Sequence, residues 1–86
     1  MHITFSQKFT KQRNKAPKAI QKAFDNRLRL FLVNRFDSLL NNHGLKGQYF
    51  GYRSINITGD WRAVYRDLND DGIYFSAFGT HSQLYK

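Results

Sequence analysis

The fold is decided by residues 52–78, YRSINITGDWRAVYRDLNDDGIYFSAF, in which three strand-like runs are separated by two turns. The runs, rich in β-branched and aromatic residues, are 52–57, 61–66 and 73–78. Residues 59–60 (GD) make the first turn, and residues 69–72 (NDDG) make a hairpin turn whose residues tolerate positive φ. Strands joined in sequence by short turns predict an antiparallel meander, and we expect its last strand to end at Gly79.

The residues before this segment predict a strand and two helices. Residues 2–5 (HITF) can form a short first strand, and Ser6 is a suitable N-cap for a helix through about Asn14. Pro17 then fits the first turn of a second helix. Apolar residues recur in that helix at helical spacing and predict one buried stripe: Ile20, Phe24, Leu28 and Phe31. Further apolar residues predict burial on several sides near its end: Leu30, Leu32 and Val33.

These elements predict an α+β fold, in which an N-terminal strand and a helical hairpin pack on an antiparallel sheet of three to four strands. The helices must cover the apolar face of the sheet, because a thin sheet alone cannot exclude water. A chain of 86 residues forms a single domain, 1–86. It has no cysteine, so eight Phe and five Tyr must supply much of the buried area.

The charge is strongly positive and uneven. The formal net charge is +8, and residues 1–46 carry ten of the fourteen basic residues but only two acids. Lysines on the predicted helices could form one basic surface: Lys11, Lys15, Lys18 and Lys22. Such a surface favours a polyanion, with RNA the leading candidate, although lysines can also simply keep a small aromatic-rich protein in solution. No apolar run is long enough to span a membrane, and we expect a cytoplasmic protein.

Several polar and aromatic residues stand at the predicted strand ends and turns, where a sheet can present side chains to a ligand. They are His43, Arg53, Asp60, Trp61, Arg62, His81 and Tyr85. Cleaving RNA without a metal needs a base for the 2′-hydroxyl, an acid for the 5′-oxygen and cations for the phosphate. Histidine and arginine suit these roles. Each residue also has a structural explanation, since Asp60 is a common turn residue and Trp61 is more often a core residue.

The histidines do not have the spacing of a metal site. None of the three forms an HxxxH or HExxH pair, and the chain has neither a Gly-rich phosphate loop nor the sequence context of a nucleophilic serine. We therefore expect no metal and no cofactor.

Four blocks in the second half of the chain resemble a known family of toxins. They are 43–47 (HGLKG), 51–53 (GYR), 60–65 (DWRAVY) and 79–85 (GTHSQLY). Their residues and spacing resemble the RelE superfamily, and YafQ-type toxins in particular. The resemblance implies a RelE-like toxin fold and a toxin of a type II toxin–antitoxin system that cuts mRNA on the ribosome. It also implies a cognate antitoxin as partner, with oligomers formed only through the antitoxin complex.

The resemblance also assigns roles to individual residues. His81 resembles the main catalytic histidine, Asp60 its acid–base partner, and His43 a supporting histidine. Trp61 and Tyr85 match aromatic positions at the family's site, where they are expected to bind RNA. Arg62 matches an arginine that holds phosphate in RelE, and Arg53 matches a basic position one strand earlier. The chain departs from the YafQ pattern at Asn56, where those toxins usually have a histidine, and at residues 77–78 (AF), where an arginine is missing. Asn56 can position a phosphate or a 2′-hydroxyl but cannot move a proton at neutral pH.

These residues together suggest in-line attack of an RNA 2′-hydroxyl on the adjacent phosphate. Asp60 or His43 would act as base, His81 as acid, and Arg53 with Arg62 would hold the phosphate, with no metal required. Two alternatives remain open at this point. Relatives of the ParE type poison DNA gyrase on the same fold, and a third possibility is a non-catalytic RNA-binding protein.

Overall fold

The structure, a computed structural model, describes residues 2–85. The chain order of its elements is β1 (His2–Phe5), α1 (Gln7–Lys15), α2 (Lys18–Val33), β2 (His43–Gly44), β3 (Arg53–Asn56), β4 (Trp61–Asp67), β5 (Gly72–Thr80) and α3 (His81–Leu84). Two short 3-10 helices, Ser38–Leu40 and Gly47–Tyr49, lie on either side of β2. The predicted α+β class is confirmed, with a strand and two helices preceding the main sheet.

The sheet is larger than predicted and is not wholly antiparallel. Its strand order is β1-β5-β4-β3-β2, and β3, β4 and β5 form the predicted antiparallel meander. β1 pairs with β5 in parallel, and the two-residue β2 pairs with β3 at the opposite edge, giving five strands. Both additions depend on long-range pairing, which short-range sequence patterns do not reveal.

The N-terminal cap of α1 ties this helix to the sheet. The Ser6 hydroxyl accepts a hydrogen bond from the backbone N–H of Phe9 at 2.9 Å and donates one to the carbonyl of Ser76 on β5 at 2.8 Å. The predicted cap is therefore confirmed, and the helix runs one residue beyond Asn14. Pro17 lies immediately before α2 rather than within its first turn.

Aromatic side chains fill the space between α1, α2 and one face of the sheet. Five phenylalanines are at most 2% exposed: Phe9, Phe24, Phe31, Phe75 and Phe78. Their rings contact one another in tilted and edge-to-face pairs, such as Phe9–Phe75 at 5.5 Å and Phe24–Phe78 at 5.5 Å between ring centres. Each buried ring contributes about 1.5–3 kcal/mol relative to exposure, so this layer is the main source of stability.

The end of α2 is not buried on several sides, and that prediction was wrong. Val33 is 86% exposed and Leu32 is 47% exposed, while Phe24 and Phe31 point into the core. The helix forms the outer layer over the sheet, and no described element packs on its outer side. Its apolar residues therefore divide between one buried stripe and a solvent-exposed end.

The second face of the sheet carries a smaller apolar cluster. Val64, Ala77 and Leu84 are buried there, under α3 and the segment 45–52. β5 continues through Gly79, which pairs with Arg62, so the prediction that this glycine ends the strand was wrong. A Cβ at Gly79 would lie 2.9 Å from Gln83 Oε1, so the glycine allows α3 to fold back closely. Within residues 2–85, no helix combines the length and the apolar character needed to cross a membrane.

Candidate active site

An open cleft lies on the face of the sheet opposite α1 and α2. Its volume is about 340 Å³. The residues that line it are spread between positions 41 and 85: Asn41, His43, Leu45, Asn56, Arg62, His81 and Tyr85. Among residues 2–85, the lining contains two imidazoles and a guanidinium but no carboxylate. The cleft is thus suited to an anionic ligand.

The imidazole of His43 has a defined tautomer. β2 pairs His43 with Ser54, and this register places both side chains on the cleft face of the sheet. The Nδ1 atom of His43 lies 2.8 Å from the carbonyl oxygen of Asn41. A carbonyl can only accept, so Nδ1 carries a proton, and in the neutral ring the lone pair is on Nε2. This is the tautomer that a general base acting through Nε2 requires.

Asn41 makes this contact possible through its backbone. Its φ is +44°, in the left-handed region, at the end of the 3-10 helix Ser38–Leu40. Asparagine tolerates this conformation better than most residues, and here it turns its carbonyl toward the following strand.

His81 is positioned by the start of α3. Its backbone N–H donates to the carbonyl of Asp60 at 3.0 Å, and Thr80 caps the helix in a reciprocal pair of hydrogen bonds with Gln83. Its ring packs edge-to-face on Tyr85, with 4.8 Å between ring centres. Among residues 2–85, no group hydrogen-bonds to either ring nitrogen of His81. Both nitrogens are therefore available to a ligand.

Tyr85 forms the support under His81. Its hydroxyl donates to the buried hydroxyl of Ser54 at 3.1 Å, and its ring also packs edge-to-face on Tyr49 at 5.9 Å. These contacts fix the ring from both sides. Tyr85 is half-buried, so one part of it still faces the cleft.

Arg62 is held by the turn that precedes β4. Its guanidinium donates to the carbonyls of Thr58 at 3.0 Å, Trp61 at 3.1 Å and Gly59 at 3.1 Å. These bonds come from Nη1 and Nη2 and hold the guanidinium against the turn. Within the described chain, Nε of Arg62 donates no hydrogen bond. A guanidinium binds phosphate through paired N–H donors, of which Nε–H is one.

Asn56 presents an unsatisfied acceptor in this cleft. Its side-chain Oδ1 is buried and has no hydrogen-bond partner among the residues that the structure describes. An unpaired buried amide oxygen costs about 1–3 kcal/mol, and a rotation of the side chain that brings it to a ribose hydroxyl would recover this free energy.

Asp60 and Trp61 do not line the cleft. Asp60 is exposed in the turn between β3 and β4, and across residues 2–85 its carboxylate makes no hydrogen bond or ion pair. Its contact with His81 runs through the backbone alone. Trp61 is half-buried on the helix side of the sheet, where it packs on Phe78 with 5.6 Å between ring centres. The core explanation for Trp61 therefore accounts for its position.

Arg53 lies on the opposite face of β3 from Asn56. Side chains alternate along a strand, so Arg53 shares the helix side with the buried Ile55. Its Nε donates to Asn42 Oδ1 at 2.7 Å, and its guanidinium lies over the Phe36 ring at 5.6 Å. The structure therefore does not bring both arginines to one phosphate.

The predicted helical lysines also lie away from the cleft. All four are exposed on α1 and α2, in the layer beyond the sheet: Lys11, Lys15, Lys18 and Lys22. Any RNA that contacts them and the cleft at once must extend around the edge of the sheet.

Three residues of the cleft were missed at the sequence level. Asn41 and Leu45 line it, and the fully buried Ser54 supports Tyr85 from beneath. Asn41 carried a signal, because asparagine tolerates the left-handed conformation at the end of a helical turn. The positions of the other two depend on long-range contacts, which have no local pattern.

Comparisons with known proteins identify the family and the fold of this chain. The model of the family described as "Bacterial toxin of type II toxin-antitoxin system, YafQ" matches residues 1–86. Among proteins with curated descriptions, none matches the chain.

Solved structures give the same fold over nearly the whole length. The crystal structure of YafQ from E. coli strain BL21(DE3) is 25% identical with a TM-score of 0.82, covering 98% of this chain and 97% of that chain. The E. coli DinJ–YafQ toxin–antitoxin complex is 26% identical with a TM-score of 0.79, covering 98% and 96%. The Mycobacterium tuberculosis RelBE2 complex, 17% identical with a TM-score of 0.66 over 93% and 96%, shares the fold. The chain belongs to the YafQ family of type II toxin–antitoxin toxins.

Proposed function

We propose that this toxin is an endoribonuclease that cleaves mRNA on the ribosome by attack of a 2′-hydroxyl on the adjacent phosphate. The observation that carries the proposal is that His43, Arg62 and His81 line one cleft, to which no other charged side chain of the described residues contributes. This set supplies a base, an anion-binding group and an acid in the lining of one cleft. A binding protein has no need of two imidazoles with free ring nitrogens.

The reaction divides among these three side chains. Nε2 of His43 removes the proton of the 2′-hydroxyl, whose oxygen then bonds to phosphorus. The guanidinium of Arg62 stabilises the added charge on the phosphate oxygens. His81 gives a proton to the departing 5′-oxygen. The products are a 2′,3′-cyclic phosphate and a 5′-hydroxyl, and no metal enters this scheme.

The geometry favours His43 over Asp60 as the base. His43 lines the cleft with its tautomer set by the Asn41 carbonyl, whereas Asp60 is outside the lining. Asn56 is proposed to accept a hydrogen bond from a ribose hydroxyl, and Tyr85 to orient the nucleotide beside His81. The helical lysines are proposed to contact ribosomal RNA, and Arg53 to stabilise the β2–β3 edge rather than bind phosphate.

A cognate antitoxin is the proposed protein partner. The similar E. coli toxin is found in a complex with DinJ, and the RelBE2 structure is also a toxin–antitoxin complex. This chain is strongly basic and exposes apolar side chains, so an acidic, amphipathic segment would neutralise and cover it. Toxicity on expression alone, relieved by the partner gene, is the expected behaviour.

The test is primer extension on mRNA that is being translated, with product ends mapped. Wild-type protein is expected to leave cyclic phosphate ends, and His81→Ala and His43→Ala are each expected to slow cleavage at least about 100-fold. Asp60→Asn is expected to lower the cleavage rate clearly less than either histidine variant does. Cleavage by His81→Ala at the wild-type rate would rule out this mechanism. Inhibition of DNA gyrase while mRNA stays intact would instead favour a gyrase poison of the ParE type.

A further inference from the structure

We propose that Phe50 is an RNA-binding residue that stacks on a base of the substrate strand beside the cleft. This inference rests on the proposed function, because it assigns a nucleotide contact to the same site. Phe50 is 83% exposed, one of the most exposed large apolar side chains on the protein. A phenylalanine in water forgoes about 1.5–3 kcal/mol of burial free energy, which a stacked base would supply.

The loop that carries Phe50 has a defined conformation. Gly47 and Gly51 have φ of +65° and +93°, conformations that favour glycine. The N–H of Phe50 donates to the carbonyl of Gly47 at 3.0 Å, and Leu45 and Tyr52 close the loop with a backbone hydrogen bond of 2.9 Å. These features hold the loop in a conformation that exposes Phe50, so little conformational entropy of the loop is lost when a base stacks on the ring.

The base of this loop is part of the cleft. Leu45 lines the cleft together with Tyr85. Tyr49, which directly precedes Phe50, packs on Tyr85 at 5.9 Å and on Tyr52 at 6.2 Å between ring centres. One aromatic chain therefore leads from His81 through Tyr85 and Tyr49 to the loop. A strand of RNA whose phosphate is bound at Arg62 would place a neighbouring nucleotide at this edge.

The charge of the surroundings suits a polyanion such as RNA. No acid occurs from residue 38 to residue 59, whereas Lys46 and the His43 imidazole lie on the same edge. A phosphate backbone gains from this cationic edge while a base covers the ring, the usual combination in single-strand binding. The ring itself offers only a face for stacking, so the contact does not depend on a particular base.

The experiment compares Phe50→Ala and Phe50→Trp with Phe36→Ala. Phe36 is a matched control, because it is also a largely exposed phenylalanine, at 64%, but it lies against Arg53 on the other side of the sheet. Cleavage of ribosome-bound mRNA gives KM and kcat for each protein. In the His81→Ala background, quenching of a single-stranded RNA labelled with 2-aminopurine reports stacking directly.

Phe50→Ala is expected to raise KM at least about fivefold, the lower range for one base–aromatic stack, with kcat nearly unchanged. Phe50→Trp should restore KM and quenching, and Phe36→Ala should match wild type. Equal KM for Phe50→Ala and Phe36→Ala in a cleaving protein would overturn the stacking role and leave the proposed function standing. Phe50-dependent quenching in a protein that never cleaves RNA would instead retain stacking and reject the nuclease. Loss of antitoxin binding alone in Phe50→Ala would also overturn the assignment.

Discussion

At the residue scale, the proposed roles of His43 as base and His81 as acid can be distinguished chemically. Replacing the 5′-bridging oxygen of the scissile phosphate with sulfur creates a leaving group that departs without a proton. We expect His81→Ala to regain most of its lost rate on such RNA, because the acid is no longer needed. His43→Ala should remain slow, because the 2′-hydroxyl still needs a base. Single-turnover cleavage of the two RNAs measures both effects.

The control for this experiment is Arg62→Lys on the same two RNAs. It removes paired phosphate contacts but no proton transfer, so it should be slow on both. Rescue of His43→Ala by sulfur, with none for His81→Ala, would exchange the two assignments. Equal rescue of both would mean that neither imidazole is dedicated to the leaving group.

At the scale of elements, the single turn of α3 determines where His81 stands. Thr80 Oγ1 accepts from the N–H of Gln83 at 3.3 Å, and Gln83 Oε1 accepts from the N–H of Thr80 at 2.9 Å. Loss of such a cap costs about 1 kcal/mol, enough to fray a helix this short. We expect Thr80→Ala to lower kcat about tenfold through misplacement of the imidazole, with a smaller effect on KM. Thr80→Ser keeps the cap and should behave like wild type.

The turn after α2 is fixed to β4 by Arg35. Its guanidinium donates to Asp67 at 2.8 Å and lies over the rings of Phe31 at 5.3 Å and Tyr65 at 5.8 Å. Burial alone lowers the pKa of Arg35, but the hydrogen bond and charge of Asp67, with a smaller contribution from Tyr65, raise it above the ordinary value. The residue therefore remains charged at every pH at which the protein is handled.

We expect Arg35→Gln to lower the free energy of unfolding by about 1 kcal/mol, from the cation–π contacts and a partly exposed ion pair. A raised folded-state pKa gives stability that is fully present below the unfolded value and is lost only as pH rises through the folded value. Urea titrations should therefore give the same decrease in unfolding free energy for Arg35→Gln at neutral and at mildly alkaline pH. Arg29→Gln, on the exposed side of α2, is the matched control and should change little. A loss that vanished at mildly alkaline pH would contradict this account.

Sequence patterns recovered those elements whose signals are local. The Ser6 cap, the Phe24–Phe31 stripe and the β3–β5 meander follow from capping, helical spacing and turn residues. The patterns failed where the structure depends on pairing between distant residues or on the position of a helix in the outer layer. Examples are the parallel pairing of β1, the short β2 and the exposed Val33. At the site, the sequence patterns identified His43, Arg62 and His81 as candidates. They could not exclude Arg53, because the face of the sheet on which a strand residue lies depends on the register of the strand.

At the scale of the whole molecule, the sheet separates two cationic surfaces. The cleft lies on one face, whereas Lys11, Lys15, Lys18 and Lys22 are exposed on the helices that cover the other. A short RNA strand bound in the cleft does not need the helical surface. A ribosome, the proposed site of action, is large enough to contact both surfaces, and a net charge of +8 suits such a polyanion.

Neutralising the four helical lysines to glutamine should therefore weaken ribosome binding without altering the cleft. Each phosphate contact that is lost should reduce the slope of log K against log salt by about 0.7–0.9, as counterion release requires. The matched variant with four arginines keeps the charge and should retain both affinity and slope. Cosedimentation with ribosomes across a salt series measures binding. The rate of mRNA cleavage at saturating toxin shows whether the cleft is still intact. If the glutamine variant bound ribosomes with the wild-type slope, the helical surface would have no role in docking, and the cleft and its loop would have to supply all of the phosphate contacts.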